Sequence, residues 1–379
     1  MSPVPPDITC HWLSTGDEAF AAMLAAIAEA KSDVCLETYT FSAGSPGERF
    51  RDALIAARGR GVRVRVLFDA LGSYGLPADF FKPLQAAGAD VRVFNPIALN
   101  RLSIRDHRKL LVCDNEIAFV GGFNLAPEYE GDGVHRGWCD LGVKVCGPLA
   151  AQLTSSFEIM FARADFHHKR FMRFRRFDAK KLLIGPGERI LLGGPGRGQS
   201  PLQHALRQDL KHASDVKIMV AYFLPTWSLR RGLGDVARRG GRVQLILAGK
   251  SDVRLSQLAG RSLYRRFLKA GVEIYEYEPQ ILHAKLIIID DAVYVGSSNL
   301  DPRSLQINYE LMIRFQDAEI AKEARAVFAG KLALSRGIEA EQWRKSRSMW
   351  QKLEQRIAYW LLVRIDPYFA KHQWRSLPD

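Results

Sequence analysis

The chain has 379 residues, room for two domains of ordinary size or one large duplicated unit. Its 54 Lys and Arg outnumber 41 Asp and Glu, giving a net charge of +13 and a pI near 9.6. That surplus predicts anionic partners (nucleic acid, acidic lipid headgroups or phosphorylated substrates) without choosing among them, and no run reaches the roughly 20 apolar residues that a membrane-spanning helix needs.

Met1 to Trp12 has no basic region followed by an apolar core, so no signal peptide is expected. Cys10, Cys35, Cys113, Cys139 and Cys146 are odd in number and form no CxxC pair. Reduced thiols in the cytoplasm are predicted, and no metal site. Glu18 to Lys31 is Ala-rich and helical. Val34 to Phe41 reads as a strand with Tyr39 and Phe41 at its exit, and Glu48 to Arg60 as a helix closed by Gly61. Val62 to Phe68 is a strand, Phe80 to Ala87 a helix closed by Gly88, and Val91 to Phe94 a further strand. Such alternation argues for α/β layers.

A hairpin follows: His107-Arg108-Lys109-Leu110-Leu111-Val112-Cys113-Asp114, running on to Gly121-Gly122-Phe123-Asn124. The period of two places His107 beside Lys109 on one side of the sheet, and Asp-Asn makes the turn. Next, His167 to Phe177 interleaves cations with aromatic rings. It suits an acidic membrane surface, single-stranded nucleic acid, or a connecting segment with its Phe residues packed inward. Residues 178–200 hold Gly185-Pro186-Gly187 and Gly193-Gly194-Pro195-Gly196-Arg197-Gly198. They read as a boundary rather than a phosphate loop, because the Gly-Lys-Ser/Thr ending is missing and Pro195 removes a donor.

The second half repeats the order. Ser214-Asp215-Val216 matches Ser32-Asp33-Val34, and a strand again exits through Tyr222, Phe223 and Pro225. A second hairpin, His283-Ala284-Lys285-Leu286-Ile287-Ile288-Ile289-Asp290, runs on to Gly296-Ser297-Ser298-Asn299. Two copies of H-x-K-x4-D followed by G-[GS]-x-N make an internal duplication, with a period far above that of repeat arrays. After a charged helix from Asp317 to about Leu334, residues 340–365 read as helical. Trp350, Leu353, Ile357, Trp360 and Leu361 share one face. An interfacial helix with Trp350, Tyr359, Trp360 and Trp374 as belt residues fits, and so does a helix packed on the core.

The doubled motif has its own chemistry. A phosphodiester is anionic, so attack on phosphorus needs charge neutralised, which Lys109 and Lys285 can supply. Asn124 and Asn299 add neutral donors and Ser297 a hydroxyl. One imidazole can attack phosphorus while the other protonates the departing alkoxide. Each His needs a partner on its second nitrogen, and Asp140 and Glu310, on the strands after each hairpin, are the candidates. Asp114 and Asp290 sit near the turns and are expected to be structural, fixing the turn or pairing with a basic side chain. Tyr39, Phe41, Tyr222 and Phe223, at strand exits, are candidate cleft walls. The repeat's symmetry leaves open which His attacks.

On these residues the chain resembles the phospholipase D superfamily, from about residue 15 to 335. Within it the chain is most similar to bacterial cardiolipin synthases of the short type without N-terminal membrane helices. Glu37-Thr38-Tyr39, Trp138-Cys139-Asp140, Tyr222-Phe223-Leu224-Pro225 and Asn299-Leu300-Asp301-Pro302-Arg303-Ser304-Leu305 add to the likeness. Cys139 stands where the family usually has Arg. The resemblance implies two tandem α/β/α domains, 1–180 and 181–335, with mixed central sheets. They would pack as a pseudo-two-fold pair with the active site between them, followed by an amphipathic tail, 336–379. It implies phosphatidyl transfer from one phosphatidylglycerol to another through a phosphohistidine, with no cofactor and no metal. His107 would be the nucleophile, and His283 the acid and then the base. A hydrolytic phospholipase D is the alternative, and a metal-independent nuclease a weaker one. The expected partners are phospholipids and an anionic membrane surface, at the cytoplasmic side of the inner membrane, with nucleic acid disfavoured and the oligomeric state open.

Overall fold

Two mixed sheets carry the chain, one for each copy of the repeat. The computed structural model describes residues 9–97, 104–164, 182–184, 188–195 and 200–365. The stretch His167 to Phe177 and Trp374 lie outside the described residues. The first sheet comprises β1 (Thr9–Leu13), β2 (Asp33–Thr38), β3 (Arg63–Asp69), β4 (Asp90–Phe94), β5 (Leu110–Cys113), β6 (Ile117–Gly121) and β7 (Gly142–Cys146). Its order is β1-β7-β6-β5-β2-β3-β4. The second comprises β8 (Leu182–Ile184), β9 (Glu188–Gly193), β10 (Asp215–Val220), β11 (Arg242–Ala248), β12 (Glu273–Tyr277), β13 (Lys285–Ile289), β14 (Ala292–Gly296), β15 (Glu310–Gln316) and β16 (Ser335–Gly337). Its order is β16-β12-β11-β10-β13-β14-β15-β9-β8. The seven strands of the first sheet match seven consecutive strands of the second, β1 matching β9 and β4 matching β12, and the second adds β8 and β16 at its two edges. In each sheet the strands joined by helical crossovers run parallel and the hairpin strands antiparallel.

Both faces of each sheet are covered, so β2 and β13 are buried along their whole length; β13 reads as a near-continuous apolar run, whereas β2 buries Asp33 and Glu37 against Arg65 and Arg108. The helices Pro148–Phe161 and Ala318–Leu332 lie in a central layer. There Leu153, Phe157 and Val143 of the first half join Ile288, Val295 and Phe328 of the second in one apolar cluster. The halves therefore share a core, and each keeps a second cluster on its outer face.

Several expected boundaries shift. The strand expected to reach Phe41 ends at Thr38. The helix expected over Phe80 to Ala87 is confined to Lys82–Ala86. Neither β1 nor β9 was anticipated: β1 is a short edge strand, and β9 lies within 178–200, expected to be a boundary loop, yet pairs with β15 and β8. The tail is two helices rather than one, Ala340–Lys345 and Met349–Trp360, separated where Ser348 and Gln351 form a capping box.

The motif Asp residues explain how each hairpin is tied down. Asp114 and Asn115 take positive φ values of 55° and 58°, and Asp290 one of 49°, as tight hairpin turns require. The Asp114 carboxylate accepts from the amides of Lys31 (2.9 Å), Ser32 (2.7 Å) and Asp33 (2.9 Å) and from the Ser32 hydroxyl (2.7 Å). Asp290 does the same for Ser214 (3.1 Å from N, 2.8 Å from Oγ) and Asp215 (2.9 Å). Each turn is thus pinned to the head of the neighbouring strand, β2 or β10, through amide and hydroxyl donors rather than a basic side chain.

Burial works against ionisation of Asp114, but these donors outweigh it and hold its pKa down to about 2. A carboxylate whose folded pKa is depressed contributes stability above its unfolded pKa and loses it as pH falls through the folded value. Asp114→Ala is therefore expected to cost about 1–3 kcal/mol at neutral pH. The deficit against the native chain should shrink as the pH is lowered from about 4 to about 2. Urea denaturation midpoints across that range check it; a deficit that does not vary with pH contradicts it.

Candidate active site

Just before each copy of the motif enters its sheet, the chain pairs with the other half. Asp106 forms an isolated parallel bridge with Tyr309. The His107 amide donates to the Tyr309 carbonyl (3.0 Å) and the Tyr309 amide to the Arg105 carbonyl (2.9 Å). In the counterpart position Cys139 bridges Leu282. The Cys139 amide donates to the Ile281 carbonyl (2.8 Å) and the His283 amide to the Cys139 carbonyl (2.7 Å). The residues that follow these bridges are His107 and Glu310 at one seam, and Asp140 and His283 at the other. Main-chain register alone thus sets each imidazole against the carboxylate of the opposite half.

The side chains complete that pairing. His107 Nδ1 lies 3.1 and 3.2 Å from the Glu310 oxygens, and His283 Nδ1 lies 2.7 Å from Asp140 Oδ2. Both rings line one cleft of about 420 Å³, together with Asn124, Asn299, Tyr39 and Tyr222. Lys109 and Lys285 lie beneath it, with Lys109 Nζ donating to the His107 carbonyl (2.7 Å) and Lys285 Nζ to the His283 carbonyl. Lys285 Nζ is also 2.8 and 3.0 Å from the two ring nitrogens of His283. Near-equal distances to both nitrogens place the ammonium over the ring face, away from either in-plane lone pair.

Three expectations need correction. Ser297 is fully buried and donates to Glu310 while accepting from the Leu311 amide (3.0 Å); it steadies the carboxylate and does not face the cleft. Phe41 and Phe223 do not wall the cleft. Past the strand ends the alternation lapses, and they bridge Leu125 and Leu300. Phe41 packs on Phe80 and Phe81, and Phe223 on Phe267. Asn124 does line the cleft, where it accepts from the Thr40 amide (3.1 Å) and donates one N–H to the Tyr129 hydroxyl (2.7 Å).

Some neighbours carry no mark in the repeat. Tyr129 and Trp138 close around His283, with ring centroids 5.2 and 5.7 Å away. Beneath the first half-site Arg108 forms a buried ion pair with Glu37 at 3.0 Å, beside buried Asp106. The second half has Ala284, Met219 and Leu282 in the same registers. Cys139, in place of the family's Arg, is fully buried at the seam next to Tyr277 and Lys331.

Burial dominates the electrostatics. It drives His107 well below its usual range, with Lys109 and Lys285 adding to the effect, so that imidazole is neutral. Burial and then Lys285 lower His283 as well, against the pull of Asp140. The two carboxylates diverge. Burial pushes Glu310 up to about 8 despite Lys109. Burial also acts to raise Asp140, but His283 and Lys285 prevail and keep it low. Burial brings Lys109 down to about 7 and Lys285 to about 8. A desolvated pair of ammonium groups under a floor of imidazole and amide donors is suited to a tetrahedral oxyanion, whose charge would restore both lysines to their cationic form.

Fold and site together define a duplicated α/β protein that assembles one phosphoryl-handling cleft from two half-sites. The family model described as "Cardiolipin synthase, PLD-like domain" matches residues 23–170 and 206–332. The major cardiolipin synthase of Bacillus subtilis is 31% identical over 353 residues, covering 91% of this chain and 73% of that protein. Cardiolipin synthase B of Escherichia coli K12 is 31% identical over 371 residues, covering 93% and 89%. In fold, the chain is similar to the phosphatidylserine synthase of Haemophilus influenzae, with a TM-score of 0.74 at 14% identity over 97% of this chain and 95% of that one. The chain belongs to the cardiolipin synthase family of phospholipase D-like proteins.

The lysine shifts have a direct consequence. Sulfate stays a dianion across neutral pH, so its affinity reports the protein's own titration. As pH rises past about 7 and then about 8, Lys109 and Lys285 lose their charge. Sulfate binding is expected to weaken by about tenfold per pH unit for each lysine that must be protonated. Calorimetric titration from pH 6 to 9 tests this; an affinity that is flat across that range contradicts it.

Proposed function

We propose that the chain is a phosphatidyltransferase that makes cardiolipin, moving a phosphatidyl group from one phospholipid, phosphatidylglycerol, to the hydroxyl of another. One observation carries the reading: two histidines, each braced by the other half's carboxylate, open onto one cleft. The family and its cardiolipin synthase members supply the substrate class.

With Nδ1 held by Glu310, the Nε2 lone pair of neutral His107 attacks phosphorus. The bond to the leaving alcohol breaks, and protonated His283 gives its proton to that alkoxide. A second alcohol then yields its proton to His283 and attacks, breaking the phosphorus–nitrogen bond and freeing His107. The contrast between the two carboxylates supports this division. Asp140 is held ionised and favours a positive His283, as an acid requires, whereas Glu310 is pushed up and offers less to a positive His107. Phosphodiester is exchanged for phosphodiester, and a cleft kept dry by the membrane it faces would favour a lipid acceptor over hydrolysis.

The protein would work at the surface of an anionic membrane, as a peripheral protein at the cytoplasmic side of the inner membrane. The tail helix Met349–Trp360 packs against the helix Arg254–Arg261, burying Gln355 and Ala358. Its apolar face is turned outward: Trp350 is 80% exposed and Trp360 56%, with Leu353 and Ile357 between them. Leu362, one step further on, lines the cleft. The outward aromatic face favours the interfacial role over core packing, since it would set the cleft mouth against headgroups.

Lipid extraction after expression in cells that lack cardiolipin should show cardiolipin, reduced by about 1,000-fold or more in initial rate for His107→Ala or His283→Ala. Phosphatidic acid without cardiolipin would overturn transfer in favour of hydrolysis. Replacing Trp350, Ile357 and Trp360 together by Ser should weaken partition onto phosphatidylglycerol vesicles by at least about tenfold, given about 1.5–3 kcal/mol for each large apolar side chain fully buried. Turnover of a short-chain soluble substrate should be unaffected. Unchanged vesicle sedimentation would remove the tail from the membrane reading.

A further inference from the structure

The pseudo-two-fold breaks at one hydroxyl. In the first half the Asn of G-x-x-N is followed, five residues on, by Tyr129; at the same spacing after Asn299 stands Ser304, whose hydroxyl donates to Asp301 (3.3 Å). The Tyr129 hydroxyl lies 3.4 Å from His283 Nε2, and its ring meets the imidazole edge-on at 86°. Asn124 Nδ2 donates to the same hydroxyl at 2.7 Å.

Donor counting fixes the direction. Asn124 is held on its other side by the Thr40 amide, so it meets Tyr129 with an N–H. The phenol oxygen accepts that bond and must place its own proton elsewhere. His283 Nδ1 faces the Asp140 carboxylate and carries the imidazole proton, leaving a lone pair on Nε2. Lys285 sits over the ring face and does not take that lone pair. The Tyr129 proton therefore points at Nε2. Burial drives the Tyr129 hydroxyl well above its usual pKa, so it stays a neutral donor. Trp138 packs beside both rings, 5.0 Å from Tyr129 and 5.7 Å from His283 between centroids.

On this basis, and resting on the transfer reading above, we infer that Tyr129 is the positioning residue that divides labour between the two histidines. While His283 is neutral, the Tyr129 hydroxyl occupies the one nitrogen that could attack phosphorus; when Nε2 takes up a proton from solvent the phenol gives way, and that proton is the one delivered to the leaving alkoxide, so His283 is reserved for proton transfer. When the acceptor alcohol arrives, its O–H displaces the phenol, and the alcohol proton passes to Nε2 as oxygen bonds to phosphorus. Tyr129 keeps its own proton throughout. No counterpart tyrosine follows Asn299, so His107 is left as the nucleophile.

The test reads His283 directly, without lipid. A donor on the neutral imidazole stabilises the uncharged form, so removing it raises the pKa. The groups facing His283 are Asp140, Lys285, Lys109, His107 and Tyr129, and Tyr129→Phe alters only the last. In ¹⁵N-histidine spectra of the full chain, Tyr129→Phe should raise the His283 pKa by about half a unit or more. His107 should stay in place. In transfer assays the same variant should lose about tenfold in kcat with KM little changed, and the acidic or basic limb that reports His283 should move upward. An unmoved His283, or equal movement of both histidines, overturns the inference. A native chain that forms no cardiolipin while its His283 shifts as expected would overturn the transfer reading and leave the Tyr129 contact standing.

Discussion

The site depends on main-chain hydrogen bonds across the seam between the halves. They fix Asp106 against Tyr309 and Cys139 against Leu282, and the next residue on each of the four segments is one of the paired imidazoles or carboxylates. Backbone register is a stiff determinant, since a one-residue slip would turn each imidazole away from its carboxylate. Neither half can form a braced imidazole alone, because the brace always comes from the other. The shared central apolar layer then acts as the support that holds the seam closed.

Desolvation is the second consequence of that seam. Both ammonium groups, both carboxylates and His283 are buried and His107 is nearly so, and their charges are traded among neighbours instead of being solvated. The result is a set of groups poised near neutrality whose protonation responds to an arriving anion. The buried Arg108–Glu37 pair beneath the first half-site, with apolar residues in the matching place of the second, shows that the two half-sites rest on different foundations. Tyr129 on one side and Ser304 on the other carry the same asymmetry up to the cleft.

The hairpin Asp residues and the tail illustrate how far local pattern reaches. Asp114 and Asp290 are part of the motif yet stand away from the cleft, tying each turn to the head of its neighbouring strand. In the tail the 3.6-residue pattern found the apolar face, but not which side of the helix would meet the protein. Packing against the helix Arg254–Arg261 uses Gln355 and Ala358 and leaves the tryptophans outside.

What the sequence determined by itself was whatever repeats or alternates locally. The duplicated His-Lys hairpins, the α/β alternation and the resemblance to the phospholipase D superfamily follow from spacing within short windows. So did the choice of Asp140 and Glu310 as candidate carboxylates. What only the tertiary structure decided was whatever depends on contacts between distant segments. The crossed pairing of each imidazole is one case, and the withdrawal of Ser297, Phe41 and Phe223 from the cleft is another. Tyr129 is a third, because a residue present in one copy alone leaves no trace in a search for repetition. The physical reason is common to all three: periodicity fixes which face a side chain takes on its own strand, while its neighbour is fixed by how two sheets meet.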